Sequence, residues 1–221
     1  MNYEGFLKDT EKSKVLARIV THLMGDGSVT NKYFAYFNKN ADLLKNYERD
    51  ILSLFPEIHI TRGISNSGTS IIQVQNKKII VFLKSLLKDY RSHSLIIPDF
   101  INKRELKKEF LQSIFDDEGC VALRIFKRTK EIKRNLTLSS NSLHLIKDIK
   151  YILEKEFKIN SNKISKYTKV KGLKEYTNYV LSITGKSNFE RFQKEINFAH
   201  PLKKEKLDKM ISSYIRLAST T

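Results

Sequence analysis

The sequence predicts an α+β fold built from two pseudo-symmetric αββαββα units, and three observations carry that reading. The same order of helical and alternating apolar patterns is met twice within 221 residues. An acid–glycine pair ends the corresponding helix in each half, Asp26-Gly27 and Glu118-Gly119, 92 positions apart. A stripe of small residues, Ala17, Thr21 and Gly25, runs along the first of these helices, and Ser113 takes the place of Thr21 in the second. Small side chains let two helices approach closely, so the two are expected to pair. The first unit is placed at 1–100 and the second at 101–221.

The elements follow in order. Thr10 is read as the N-cap of a helix whose Val15, Leu16, Ile19 and Leu23 share one face, and Gly25-Asp26-Gly27 ends it. A β-rich run over 29–37 closes at Asn38-Lys39-Asn40. The next helix carries Leu44, Tyr47, Ile51 and Phe55 and stops at Pro56. Ile58 and Ile60 alternate with polar residues, Ser65-Asn66-Ser67-Gly68 turns the chain, and Ile72-Gln73-Val74-Gln75 alternates again. Ile79, Ile80, Leu83 and Leu87 mark a third helix.

The second unit repeats this. Phe110, Leu111, Ile114 and Phe115 lead into Glu118-Gly119, followed by strands at 121–126 and 135–139 joined by a basic stretch. A helix spans 142–157, strands near 163–167 and 179–183 flank a Lys/Gly turn, and helices at 187–196 and 201–217 close the chain.

Composition limits the partners. Lys and Arg number 41 against 24 Asp and Glu, a net charge of +17, and the pI is 9.8. Such an excess repels itself in a compact state, and a polyanion relieves it. The single cysteine, Cys120, excludes an internal disulfide framework and a Cys-based zinc site, and is read as a small buried hydrophobe at a strand start. No apolar run approaches the length of a membrane span, and residues 1–11 lack the apolar core of a signal peptide. The expectation is an intracellular protein of the cytoplasm or an organellar matrix, with no membrane partner.

The chemistry gathers at the two helix ends. A carboxylate at a helix C-terminus faces the negative end of the macrodipole, which is a poor choice for stability. Two such acids brought together make sense if cations lie between them. Paired carboxylates with room for water suit Mg²⁺ or another divalent cation, and phosphodiester hydrolysis commonly uses that arrangement. Each glycine is expected in the left-handed conformation of a helix end. Asp116 is read as structural. The five histidines, His22, His59, His93, His144 and His200, show no metal spacing and are read as surface or interface residues.

The nonapeptides at 19–27 and 111–119 resemble the paired motifs of LAGLIDADG homing endonucleases of the monomeric, two-motif type. Met24 replaces the first acid of the idealised motif, and Asp117 stands where a small residue is usual. The resemblance implies an intron-encoded, metal-dependent enzyme that cuts both strands of a long DNA site as a monomer. It implies that Asp26 and Glu118 bind the metal, helped by the carbonyls of Gly25 and Asp117. It also implies polar or basic groups at the second strand ends, here Asn38, Lys39, Ser139 and Ser140, and a basic residue in the segment after the last helix, here within 200–204. Lys204 is taken for that residue ahead of Lys203.

Strand parity then selects the DNA contacts. If Ile72 and Val74 face the core, Gln73 and Gln75 face the DNA, and Leu136 and Leu138 leave Asn135, Thr137 and Ser139 outward. On a curved antiparallel saddle the base readers are therefore Thr61, Arg62, Gln73, Gln75, Arg124, Arg128, Arg134 and Thr137; parity over 33–37 fits either face, and Tyr33 is added as a further candidate. Lys127, Lys130, Lys133, Lys169, Lys171 and Lys174 are assigned to phosphates, which set register without reading sequence. An RNA-binding maturase acting on intron RNA is the first alternative, and a non-catalytic DNA-binding protein on the same fold the second. An intein origin is not expected, because splicing segments do not flank the motifs.

Overall fold

The computed structural model describes residues 4–87, 91–126, 128, 131–172 and 174–214. The chain opens with α1 (Glu4–Lys8) and α2 (Thr10–Met24). Asp9 rather than Thr10 caps α2, accepting the Lys12 N–H at 3.1 Å. The run expected over 29–37 divides into β1 (Gly27–Val29) and β2 (Phe34–Asn38), because Thr30 and Tyr33 close a turn between them. Next come α3 (Ala41–Leu54), β3 (Ile60–Ile64), β4 (Ser70–Val74) and α4 (Lys77–Leu86). Asn40 and Asn76 cap α3 and α4 with their side-chain oxygens.

The second set is α5 (Arg104–Glu118), β5 (Gly119–Ile125), β6 (Ile132–Ser140), α6 (Leu143–Lys155), β7 (Ser165–Lys171), β8 (Lys174–Ile183), α7 (Lys186–Glu195) and α8 (Pro201–Ser212). The strands here run further than periodicity suggested. Lys171 pairs directly with Lys174, so the Lys/Gly turn shrinks to a tip at Gly172, whose φ is +62°. That angle suits glycine and resists a side chain.

Both sheets are fully antiparallel and share one order, β1-β2-β4-β3 and β5-β6-β8-β7. Two four-stranded sheets with one order, each built from one half of the chain, are the structural form of the duplication. Gly27 and its partner Tyr36 lie nine positions apart, and Gly119 and Leu138 lie nineteen apart. The second unit therefore carries a β5–β6 hairpin ten residues longer.

Alternation follows the expected parity. Phe34, Tyr36, Ile60, Ile72 and Val74 point to the helices in the first sheet, as do Val121, Leu136, Leu138, Leu181 and Ile183 in the second. Both helix layers join one continuous core. Burying apolar surface on this scale is the main stabilising term, at about 25 cal/mol per Å².

At the centre, α2 packs along α5. Ala17 and Thr21 are fully buried and Ser113 nearly so, and Thr21 returns its hydroxyl proton to the Ala17 carbonyl at 2.6 Å. Arg18 ties the helices to α3, donating to both carboxylate oxygens of Asp50 at 2.7 and 2.8 Å and to Glu109 at 2.9 Å.

The glycines after the acids are not left-handed. Among the described glycines only Gly68, Gly172 and Gly185 have positive φ. Space explains Gly27 and Gly119 instead. A Cβ on Gly27 would stand 2.3 Å from the Leu23 Cα, and one on Gly119 would stand 2.4 Å from the Phe115 carbonyl oxygen. Each strand leaves its helix so abruptly that a side chain has no room. Among the described residues no helix is long and apolar enough to cross a membrane.

Candidate metal centre and nucleic-acid face

Asp26 and Glu118 sit where α2 and α5 end side by side. Burial pushes the Glu118 carboxyl up to about 7, and the nearby Asp26 and Asp117 add to this while Lys203 opposes it. Burial likewise pushes Asp26 up to about 6, reinforced by Asp117 and offset by Lys203 and His22. For each acid, burial and the neighbouring carboxylates together outweigh the cations nearby. An open cleft of about 460 Å³ lies beside Asp26, lined also by Phe37, Asn38, Lys39, Thr69, Asp116, Asp117, His200 and Lys203.

Oxygen donors beside an open cleft suit a divalent cation such as Mg²⁺. Among the described residues no three His, Cys, Asp or Glu side chains converge as a metal cage. A cation held by Asp26 and Glu118 would therefore complete its shell from backbone carbonyls, water or a phosphate. Within those limits the residues present fit such an ion.

Asp117 does not behave as the small residue it replaces. Its side chain is fully buried and crosses to the first unit, where it accepts from the Tyr36 hydroxyl at 2.6 Å and lies 2.9 Å from the His22 Nδ1. Room for it comes from Gly25, whose missing Cβ would stand 2.7 Å from the Asp117 Oδ2. Burial opposes a charge on His22, yet the adjacent Asp117 raises its pKa overall and favours an imidazolium. His22 is thus a buried ion-pair partner and not a surface residue. Tyr36 and Tyr47 pack about it, tilted and edge-on, with centroids 4.8 and 5.8 Å from the imidazole.

Asp116 is structural, as expected. It accepts the backbone N–H groups of Ala199 and His200 at 3.1 and 2.9 Å and so holds the start of α8 against the end of α5. This seating decides which lysine reaches the site. The Lys203 ammonium points at the carbonyls ending α5, 3.2 Å from the Phe115 oxygen and 3.2 Å from the Asp117 oxygen, and also meets the Asp116 carbonyl. Burial lowers its pKa, and the acids Asp116, Asp117 and Asp26 oppose that. Lys204, the expected residue, is exposed and points away. Pro201 begins α8, and on that helix only one of two consecutive side chains faces inward.

Asn38 lies at the end of β2 beside Asp26. Its amide nitrogen donates to the Tyr36 hydroxyl at 2.9 Å and approaches Asp26 at 3.4 Å, while its oxygen accepts the Asn40 N–H. Lys39 is exposed on the cleft rim. Ser139 is displaced by one residue from the place intended for it. With Gly27 opposite Tyr36 and Gly119 opposite Leu138, the counterpart of Asn38 is Ser140, and Ser139 matches Phe37.

Cross-strand register sorts the expected DNA contacts. Thr61 and Gln73 pair on the open face of the first sheet, away from the helices, and Gln75 is exposed just beyond β4. Tyr33 is half-buried in the turn before β2. In the second sheet Arg124 pairs with Lys133, Thr137 with Ser182, and Lys169 with Tyr176, all on the open face. Arg128 is exposed in the hairpin between β5 and β6.

Two arginines point the other way. Arg62 sits opposite core-facing Ile72, so its guanidinium turns to the helix side and pairs with Glu48 of α3. Arg134 sits among helix-facing residues, bonds the Ser213 hydroxyl at 2.7 Å and the Ser213 carbonyl at 3.0 Å, and stacks on Tyr214. Lys127, Lys130 and the side chains of Lys171 and Lys174 lie outside the described residues. Tyr167 and Tyr176, exposed on the same face as Lys169, escaped the sequence reading, although their parity with that lysine marks them. Cys120 is exposed, not buried, beside Thr137 on this face.

Comparison with known proteins agrees with this architecture. Residues 105–197 match the family described as LAGLIDADG-like domain. The homing endonuclease I-DmoI, solved with DNA and Ca, superposes with a TM-score of 0.60 at 15% identity, over 89% of this chain and 98% of that one. Full-length DUF199/WhiA from Thermatoga maritima gives 0.60 at 11% identity, over 91% of this chain and 61% of that one. Among curated proteins, a probable translation initiation factor IF-2 of Methanocaldococcus jannaschii is 31% identical over 165 residues, 70% of this chain. A replication factor C small subunit of Thermococcus kodakarensis is 26% identical over 209 residues, 93% of this chain. The matching segments are 13% and 22% of those two proteins, so the chain spans less than a quarter of either.

Proposed function

We propose that this two-unit LAGLIDADG protein is a site-specific DNA endonuclease that uses a divalent cation to break both strands of a long, asymmetric site. The observation that carries the reading is the meeting of Asp26 and Glu118 at adjacent helix ends, where burial and neighbouring acids raise both pKa values, beside two open strand faces in a chain of net charge +17. A protein that only bound DNA would gain nothing from two crowded, part-buried acids. A bound cation would supply an activated water and a counter-charge for the leaving oxygen. Asp26 and Glu118 would hold it, and Lys203 would place a positive charge at the edge of the same cleft.

Thr61, Gln73 and Gln75 on one sheet, and Arg124, Thr137 and Lys169 on the other, would meet the two halves of the target. Because these side chains differ, the halves should differ too, and one chain already supplies both acids. Similarity to short segments of archaeal proteins with unrelated named activities supports a module that moves independently of its hosts.

Cleavage selection from a randomised duplex library with Mg²⁺ tests the proposal. The expected result is one loosely palindromic site of two unlike halves, cut by the wild type. Asp26→Asn and Glu118→Gln should bind that site and leave it intact. Undiminished cleavage by either variant rejects the assignment, and binding without cleavage by the wild type favours a non-catalytic DNA-binding protein.

A further inference from the structure

Resting on the endonuclease reading, we infer that Tyr36, Asp117 and His22 form a one-sided positioning network that fixes Asp26 and leaves Glu118 free, so that the two DNA strands are cut unequally. The network is a directed chain of hydrogen bonds. Buried Asp117 receives the Tyr36 hydroxyl proton at 2.6 Å and faces the His22 Nδ1 at 2.9 Å. Having given its only proton to Asp117, the Tyr36 oxygen can only accept from Asn38, whose amide nitrogen stands 2.9 Å away. The Asn38 oxygen is committed to the Asn40 N–H at 2.9 Å, which sets which end of the amide faces the site. The second amide proton is then left to point at Asp26, 3.4 Å away. A residue of the second unit thereby orients the metal-binding acid of the first.

No such chain reaches Glu118. Gly25 stands where Asp117 stands, Ile114 replaces His22, and register puts Leu138 at the place of Tyr36 and Ser140 at that of Asn38. Leu138 offers no hydroxyl, and the Ser140 oxygen accepts the Ser142 N–H in the following turn. Among the described residues nothing donates a hydrogen bond to the Glu118 carboxylate. The asymmetry is built into the core, because Asp117, His22 and Tyr36 are all buried while their counterparts are aliphatic or absent.

The two units are related by a pseudo-twofold, as are the two strands of a duplex, so each acid stands nearer to one scissile phosphate. A held carboxylate needs less reorganisation than a free one when charge develops nearby. The strand served by Asp26 should be cut first, and the strand served by Glu118 second. Tyr36→Phe removes one hydroxyl, keeps the ring packed between His22 and Tyr47, and frees the Asn38 amide.

Two measurements separate this inference from the reading beneath it. The first is Mn²⁺ binding without DNA, followed by electron paramagnetic resonance. Tyr36→Phe should weaken it about 3- to 10-fold, the loss expected for one orienting hydrogen bond. The second is strand-resolved cleavage of the selected duplex, labelled separately on each strand. Tyr36→Phe should slow the faster strand by a similar factor and leave the slower one within about 2-fold, so that the order of nicking blurs. Unchanged Mn²⁺ affinity, or equal slowing of both strands, overturns the positioning network. If the wild type binds Mn²⁺ but cuts no sequence, the endonuclease reading fails and the Mn²⁺ arm alone still decides the inference. Thermal melting accompanies each variant, and if Tyr36→Phe does not fold, Asn38→Ala breaks the same chain at its exposed end and should give the same two results.

Discussion

Asp117 fills the space that a Cβ on Gly25 would occupy: a methyl placed there would lie 2.7 Å from its Oδ2 and 2.8 Å from its Cβ. The small residue and the buried acid are thus one feature, split between two units of the chain. Gly25→Ala should destabilise the protein by about 1–3 kcal/mol, the usual cost of overpacking. In an Asp117→Ala background the same change should cost less than half as much. Urea unfolding of the four proteins in a double-mutant cycle measures the coupling, and additive effects would show that the helices part without strain.

Arg18 joins three helices through Asp50 and Glu109, and Asp50 is 5% exposed. Arg18→Met should leave a buried carboxylate without its cation and cost about 3 kcal/mol, the low end for a broken buried pair, since the arginine side chain keeps 27% of its surface in water. Asp50→Asn added to Arg18→Met should recover part of the loss. A drop below about 1 kcal/mol in the single variant would mean that solvent already screens the pair.

The pH dependence of metal-free stability has a definite sign. Glu118 and Asp26 titrate near 7 and 6 in the folded protein and near 4 when unfolded, so between about pH 4 and 7 the folded state holds more protons. The stability contributed by these two groups is therefore greatest at low pH and falls as pH rises through that window. A divalent cation should restore it only where both are ionised. Mg²⁺ should raise the melting temperature clearly at about pH 8 and scarcely at about pH 5, and the double variant Asp26→Asn/Glu118→Gln should respond at neither. An equal Mg²⁺ effect at both pH values would place the cation elsewhere.

Lys203 and Lys204 are neighbours with opposite surroundings. Lys203→Met should lower the cleavage rate about 100-fold, comparable to losing one transition-state donor. Lys204→Met should change it less than about 3-fold and act mainly through weaker DNA binding at higher salt. Single-turnover cleavage at saturating protein separates the two effects, and a larger loss from Lys204→Met would reverse the assignment.

The sequence alone determined what depends on local repetition. The duplicated order of elements, the strand parity that buries Ile72, Val74, Leu136 and Leu138, and the two acids at matched helix ends all follow from periodicities of two and about 3.6 residues. Those patterns repeat within a few residues of each position, so they can be read without knowing what lies opposite. Only the tertiary structure decided the rest. Asp117 meets His22 and Tyr36 across 95 and 81 residues of sequence, and Lys203 reaches the Asp116 carbonyl across 87. Arg62 and Arg134 share the parity of core-facing Ile60 and Leu136, which already puts them on the helix side, and only their partners there, Glu48 and Ser213, come from distant segments. Gly27 and Gly119 are glycine for lack of room, a property of the close turn from helix to strand and not of backbone angle. A side chain's partner is set by where distant segments pack, and the chain's own spacing carries no record of that distance.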